Sequence, residues 1–427
     1  MQPEPDDVQL RNMSSSPNRW LLAGAAVLMQ VCLGIIYAWS VFRAPLEQHY
    51  GWSKTESIAP YRWSILFFTL AMIVAGFWQD KKGPRLVGSV GGLLLAAGCL
   101  LAAFIGNTPM GLNIAYGVVA GLGVGFAYVT PIATCVKWFP DKRGMVVGMA
   151  VMGFGIGSLI FAPLLEALLG KDPTRYAETL PNTFLLLAAI FLIVVTGCAQ
   201  LYKVPPAGWK PDGWTPPVSA AGAAAEWTPR EMLRSPSFWV LWVVYFLGSS
   251  VGLTAIGESS PLVRELAGTA AVMSGGGALG VMSLFNGVGR LAWGAASDRI
   301  GKQKVVYAMF AISIATCALL LPATRDFWRV LAGICLVGFC YGGHLALMPS
   351  LCADYFGSKN IGANYGILFT AWGAAGFTIP RYIAAILEEQ KKAGAVAEGY
   401  NQMFYTLAVI AAVGLVAGYF LKKPVRT

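Results

Sequence analysis

The sequence predicts an all-α membrane protein of twelve transmembrane helices in two six-helix bundles. Three observations carry that prediction. Of 427 residues, 56% are hydrophobic and 12% are charged, about half the ~25% charge of a soluble chain. Apolar runs long enough to cross a bilayer recur twelve times. The second half of the chain also repeats motifs of the first at a nearly constant offset.

In chain order the segments are 20–42, 58–78, 85–106, 111–136, 144–169 and 182–202, then 237–257, 272–297, 303–322, 327–352, 361–386 and 402–421. Residues 1–18 are polar and rich in Pro and Ser, a disordered terminus without a cleavable signal. The first bundle is expected over 19–202 and the second over 237–421, with 422–427 as a short tail. Between them, 203–236 forms a central loop rich in Pro, Ala and Trp. Its end, WTPREMLRSPSFW, places Thr228 as N-cap, Pro229 at the first helical position and Glu231 to close a capping box. A short interfacial helix follows, with Met232 and Leu233 toward lipid. The eight cysteines all fall in apolar segments without metal spacing and read as small packing residues.

The loops on one side of the predicted bilayer, with the termini, hold 19 Lys and Arg; the opposite loops hold 9. We call the first side the basic face. The asymmetry puts it, both termini and the central loop in the cytoplasm, in a multi-pass protein of the cell inner (plasma) membrane. The same distribution accounts for the net charge of +10 without nucleic acid, because the basic residues punctuate apolar segments and form no stripe. Arg62 and Arg381 lie toward the outer ends of their segments, where long side chains snorkel. Arg290 does not. It precedes Asp298 by eight residues, ~12 Å along a helix, which in a ~30 Å hydrocarbon core is near the midplane. An arginine there costs at least ~2.5–3.5 kcal/mol on insertion scales. We therefore expect Arg290 to receive an anion.

The repeat sharpens this. GFWQDKKGPR (76–85) matches GAASDRIGKQ (294–303) at an offset of 218, GLGVGFAY (121–128) matches GFCYGGHL (338–345) at 217, and Pro131 pairs with Pro349. A six-plus-six duplication is the signature of transporter folds built around a midplane site. Glycine rows such as Gly153, Gly155 and Gly157 mark either sliding seams or tight packing.

Gly76–Arg85 and its copy from Gly294 resemble the loop signature of the major facilitator superfamily. The resemblance implies a gate on the basic face at Asp80 and Asp298, with Arg85, Arg143 and Arg299 beside them and Arg143 as a carboxylate partner. WFPDKRGMVVGMAVMGFGIG (138–157), EMLRSPSFWVLW (231–242) and FNGVGR (285–290) resemble the branch that holds the oxalate:formate antiporters and the monocarboxylate transporters. By that resemblance Arg290 binds the substrate carboxylate. The oxalate exchangers carry a second cation, a lysine, where this sequence has Trp372, so one central charge remains. A dianion would leave one negative charge unpaired, whereas a monocarboxylate is neutralised. The sequence therefore is similar to the bacterial L-lactate (monocarboxylate) transporters. Asn286 stands where many of that branch carry an aspartate, so the proton route must differ.

Further candidates surround Arg290. Asn286 lies one turn away and orients the guanidinium or the substrate. Tyr341 and His344 share one face of segment 10, and His344 can take a proton near neutral pH. Tyr128 and Tyr37 approach from the first bundle, while Trp372 and Phe369 shape an apolar wall. Tyr365 and Met152 read as core, Glu166 and Glu258 as interfacial, and His49 has no role. The expected partners are a small monocarboxylate anion, a proton and the lipid bilayer, with the chain working as a monomer. No cofactor and no metal are expected. A nucleophile with a base, as an enzyme requires, has no counterpart in the spacing. The longest non-membrane segment is too short for a receptor's soluble domain. The reading is a secondary transporter of a small monocarboxylate with a proton; the alternative is a carboxylate exchanger.

Overall fold

The computed structural model describes residues 18–170, 172–206, 209–211, 214, 226–266, 275–322 and 326–424. The expected disordered terminus before residue 18, the middle of the central loop, the start of segment 8 and the last three residues lie outside them. The described chain is helical, and its long helices follow the predicted segments. We number them α1 (Arg19–Leu33), α2 (Lys54–Lys82), α3 (Pro84–Ile105), α4 (Gly121–Trp138), α5 (Arg143–Leu169), α6 (Tyr176–Leu201), α7 (Pro236–Leu266), α8 (Gly275–Ile300), α9 (Lys302–Ala315), α10 (Phe327–Phe356), α11 (Ile361–Leu368 continued by Thr370–Lys392) and α12 (Val396–Tyr419). Among the described residues ten spans qualify as membrane-crossing by length and apolarity. The two that do not are α8, which carries Asn286 and Arg290, and α11, which is interrupted at Phe369.

Local chemistry sets the boundaries. The Ser53 hydroxyl accepts from the Glu56 N–H while Glu56 reaches back to the Ser53 N–H, a capping box that starts α2. Thr228 and Glu231 do the same for the short helix Pro229–Arg234, as expected. Its side chains correct the sequence reading: Met232 is fully buried in protein, and only Leu233 is exposed. The α2–α3 and α8–α9 turns each close on a glycine with positive φ, Gly83 at 88° and Gly301 at 94°. Only glycine adopts that geometry without strain, and the two positions are repeat mates.

Large apolar side chains such as Phe104, Ile193, Val409 and Tyr419 face outward, as expected where lipid replaces water. The interior is held by close backbone approach between the halves. A methyl group on Gly76 would run into the Gly362 carbonyl oxygen, and one on Gly294 into that of Gly144. The same holds for Gly366 against Met72 and for Gly148 against Arg290. Thus α2 meets α11 and α5 meets α8 by matching glycine contacts, each pair at the repeat offset of 218. The central loop is anchored at both ends. Trp138 Nε1 donates to the Lys203 carbonyl at 2.8 Å, and Trp227 N donates to the Phe356 carbonyl at 2.9 Å.

Candidate anion-binding site

Arg290 is completely buried. Its Nε donates to Asn286 Oδ1 at 3.1 Å and its Nη1 to the Val151 carbonyl of α5 at 2.6 Å. Asn286 is fixed in turn by its Nδ2, which donates to the Gly338 carbonyl of α10 at 3.2 Å. On the other side, α5 presents Gly155, and a methyl group there would lie 3.5 Å from Nε. The guanidinium is therefore oriented by neutral oxygens from both bundles. No carboxylate pairs with it among the described residues, and Nη2 has no hydrogen-bond partner there. A buried cation with a free donor edge is poised for an anion.

Aromatic rings enclose that edge. The Phe154 ring lies 5.9 Å from the guanidinium carbon. Tyr37, carried by the 3₁₀ stretch Gly34–Ala38, meets Phe154 edge-on at 5.0 Å and interacts with both Tyr341 and Arg290. Trp372 Nε1 donates to the Tyr341 hydroxyl at 2.7 Å, and Phe369 stacks on Trp372 at 4.9 Å. Tyr128 touches Phe154 and Phe369, each at 5.4 Å between centroids. Phe68 of α2 closes the set against Tyr128, Phe369 and Trp372. Arg290, Asn286, Tyr37, Tyr128, Tyr341, Phe369 and Trp372 are thus brought together. Phe68 and Phe154 are neighbours that sequence reasoning missed, because an aromatic residue in an apolar helix carries no distinguishing signal.

His344 is placed differently. It shares the face of Tyr341, but that face turns toward α7 and α9. Its ring lies 4.7 Å from Phe310 and packs against Gly248, and it lines a small enclosed space with Tyr341, Gly252 and Ser313. Arg290 does not line that space. The His344 Nδ1 has no partner among the described residues.

At the basic face the carboxylates of the two repeated turns cap helix ends of the opposite bundle. Asp80 accepts from Gly362 N at 3.2 Å and Ala363 N at 2.7 Å, at the start of α11. Asp298 accepts from Gly144 N at 3.0 Å and Met145 N at 2.8 Å, at the start of α5. Donors and acceptors both obey the offset of 218, and a carboxylate suits the positive end of a helix dipole. Lys137 adds a bond to Asp80 at 3.4 Å. Arg143, expected beside these carboxylates, pairs with Asp354 of α10 at 2.9 Å, and Lys302 holds the other Asp354 oxygen. Backbone N–H groups take the place expected for the arginine. Arg85 and Arg299 are exposed.

Comparison with known proteins adds the following. The family model described as Major Facilitator Superfamily matches residues 12–380. The oxalate:formate antiporter of Oxalobacter formigenes is 31% identical over 361 residues, covering 84% of this chain and 82% of its own. Apicoplast pyruvate carrier 1 of Toxoplasma gondii is 29% identical over 357 residues, 70% of this chain and 64% of its own. Among solved structures, the human organic anion transporter MFSD10 superposes with a TM-score of 0.72 at 16% identity, covering 94% of this chain and 100% of that one. The latter likeness speaks for the fold alone.

Proposed function

The chain belongs to the Major Facilitator Superfamily, a family of transporters and not of enzymes, and on that premise we propose that it carries a small monocarboxylate, of L-lactate or pyruvate type, together with a proton. One observation carries the reading: Arg290 is buried beside a cluster of aromatic rings, and among the described residues its Nη2 makes no hydrogen bond of good geometry and no carboxylate pairs with it. The described enclosure contains one cation and no carboxylate. A single carboxylate neutralises it, while a dianion such as oxalate would leave a charge unpaired in a low-dielectric space. A relative named as a pyruvate carrier supports the substrate class.

Transport proceeds by alternating access, in which the bundles rock about Arg290. Neutralising the arginine removes the largest charge from the moving interface. The caps at Asp80 and Asp298 hold the basic face shut in the conformation described above, and they part when that face opens. His344 is the proton carrier we assign, acting through the space it shares with Tyr341 and not by touching the carboxylate. We place the protein in the plasma membrane, with both termini cytoplasmic on the positive-inside rule, and with a complete site in each monomer.

Uptake of labelled L-lactate into proteoliposomes tests this. Imposing an inward proton gradient should accelerate uptake, and Arg290→Lys should reduce it on the order of 100-fold, since a point charge cannot replace the guanidinium fork. Undiminished uptake in that variant would overturn the assignment. Carboxylate exchange is the second reading, favoured by the similarity to the oxalate:formate antiporter. An exchanger requires counter-anion inside the vesicle, whereas a symporter acidifies the lumen without one.

A further inference from the structure

Two buried hydroxyls, those of Tyr245 and Tyr365, remain outside this account and stand with that of Tyr128. Tyr128 of α4, Tyr245 of α7 and Tyr365 of α11 are 2%, 0% and 0% exposed. The hydroxyls of Tyr245 and Tyr365 make no hydrogen bond of good geometry among the described residues, and the Tyr365 hydroxyl has those of Tyr128 and Tyr245 within hydrogen-bonding reach. Phe369 lies against all three rings, at 5.4, 6.3 and 5.8 Å. Packing alone does not require the oxygens, because phenylalanine would fill the same volume without the cost of burying a hydroxyl.

Their position is informative. Tyr365 follows Gly362, whose N–H is capped by Asp80, by three residues, ~4.5 Å along the helix, whereas Arg290 is ~12 Å from Asp298. By that measure the Tyr365 backbone stands nearer the gate than that of Arg290. The Phe154 ring lies 5.4 Å from that of Tyr128 and 5.9 Å from the Arg290 guanidinium carbon, so the cluster adjoins the cation. Tyr128 comes from one bundle and the other two from its mate, so parting of the bundles opens the cluster.

Building on the monocarboxylate reading above, we propose that the hydroxyls of Tyr128, Tyr245 and Tyr365 form a second polar subsite that takes the 2-oxygen of a 2-hydroxy or 2-keto acid while Arg290 holds its carboxylate. A phenol donates to a keto oxygen and both donates to and accepts from a hydroxyl. The unsubstituted acid of the same length offers neither, and it leaves the tyrosine hydroxyls only one another. A site built around polar groups discriminates by that penalty.

The test is calorimetric titration of the purified full chain with L-lactate, pyruvate and propionate. Wild type should bind lactate and pyruvate at least ~10-fold tighter than propionate. In Tyr245→Phe/Tyr365→Phe that ratio should fall to about one to two, with the melting temperature kept because both rings remain. A ratio unchanged in the double variant, or a wild type without preference, overturns the subsite and leaves the Arg290 assignment standing. Arg290→Lys serves as the reference, because it should weaken all three acids by a common factor. A wild type that binds none of the three overturns the monocarboxylate reading itself, and the subsite with it.

Discussion

Replacing Asp80 and Asp298 with asparagine should open the basic face without unfolding either bundle. Each carboxylate accepts two backbone N–H groups at the first turn of a helix from the other half. A negative charge at that position contributes ~0.3–1 kcal/mol when exposed and up to ~2 kcal/mol when partly buried. Asparagine keeps one acceptor oxygen and turns a donor toward a donor, so ~1.5 kcal/mol per site is a fair loss. Two sites then lose about 3 kcal/mol, and at 1.4 kcal/mol per decade the open population rises more than ~100-fold. Asp80 also holds Lys137, so its single variant should exceed that of Asp298. The protein supplies its own reporter, because all eight cysteines are buried. Cys352 of α10 is two residues from Asp354, which pairs with Arg143 of the other bundle, and Cys99 of α3 lies inside one bundle with no exposed surface. Alkylation in detergent, read peptide by peptide in a mass spectrometer, should accelerate at Cys352 and stay slow at Cys99. A Cys352 rate unmoved in the double variant would refute the cap argument, and parallel acceleration at Cys99 would mean unfolding.

Other expectations follow from the same geometry. Trp372→Lys adds a second cation beside Arg290, so oxalate should begin to compete with lactate for uptake; no competition would refute the charge-counting argument. Asn286→Ala frees Arg290 Nε from its acceptor and should lower uptake at limiting lactate by ~10-fold, about the worth of one charged hydrogen bond; uptake kinetics check it. Gly252→Ala drives a methyl group into the Tyr341 ring, whereas Gly257 has nothing within 4 Å of an added methyl. The first should raise the lactate KM and cost ~1–3 kcal/mol by overpacking, and Gly257→Ala should be silent in both uptake and thermal melting.

Much of this was legible in the sequence, and for identifiable reasons. Arg290 declares itself because a charge in a long apolar run is expensive, and Asn286 because four residues bring it to the same helix face. The repeat offset located the carboxylates at Asp80 and Asp298. It could not say what they bind, since a backbone N–H carries no sequence signature; the arginine expected there pairs with Asp354 instead. Tyr341 and His344 were correctly put on one face, yet a buried helix has neighbours all round, and periodicity does not say which of them that face meets. The glycine rows left sliding seams and tight packing undivided. In this conformation Gly148 and Gly155 stand against α8, while Gly157 is pressed on Gly34 of the same bundle. Phe68, Phe154 and Tyr245 were invisible as site neighbours, because aromatic residues occur throughout a membrane interior.

The crossed caps also bear on how such a chain arises. Each half offers one carboxylate and one uncapped helix start, and each receives the other's at the same register. That makes the interface self-complementary in the manner of a two-fold dimer, where a patch binds its own copy. A six-helix half would meet a second copy of itself through this patch with both carboxylates and both helix ends satisfied. Covalent fusion of two such halves then preserves the contact, and the later differences between them, Arg290 against Met72 above all, confine the charge to one side.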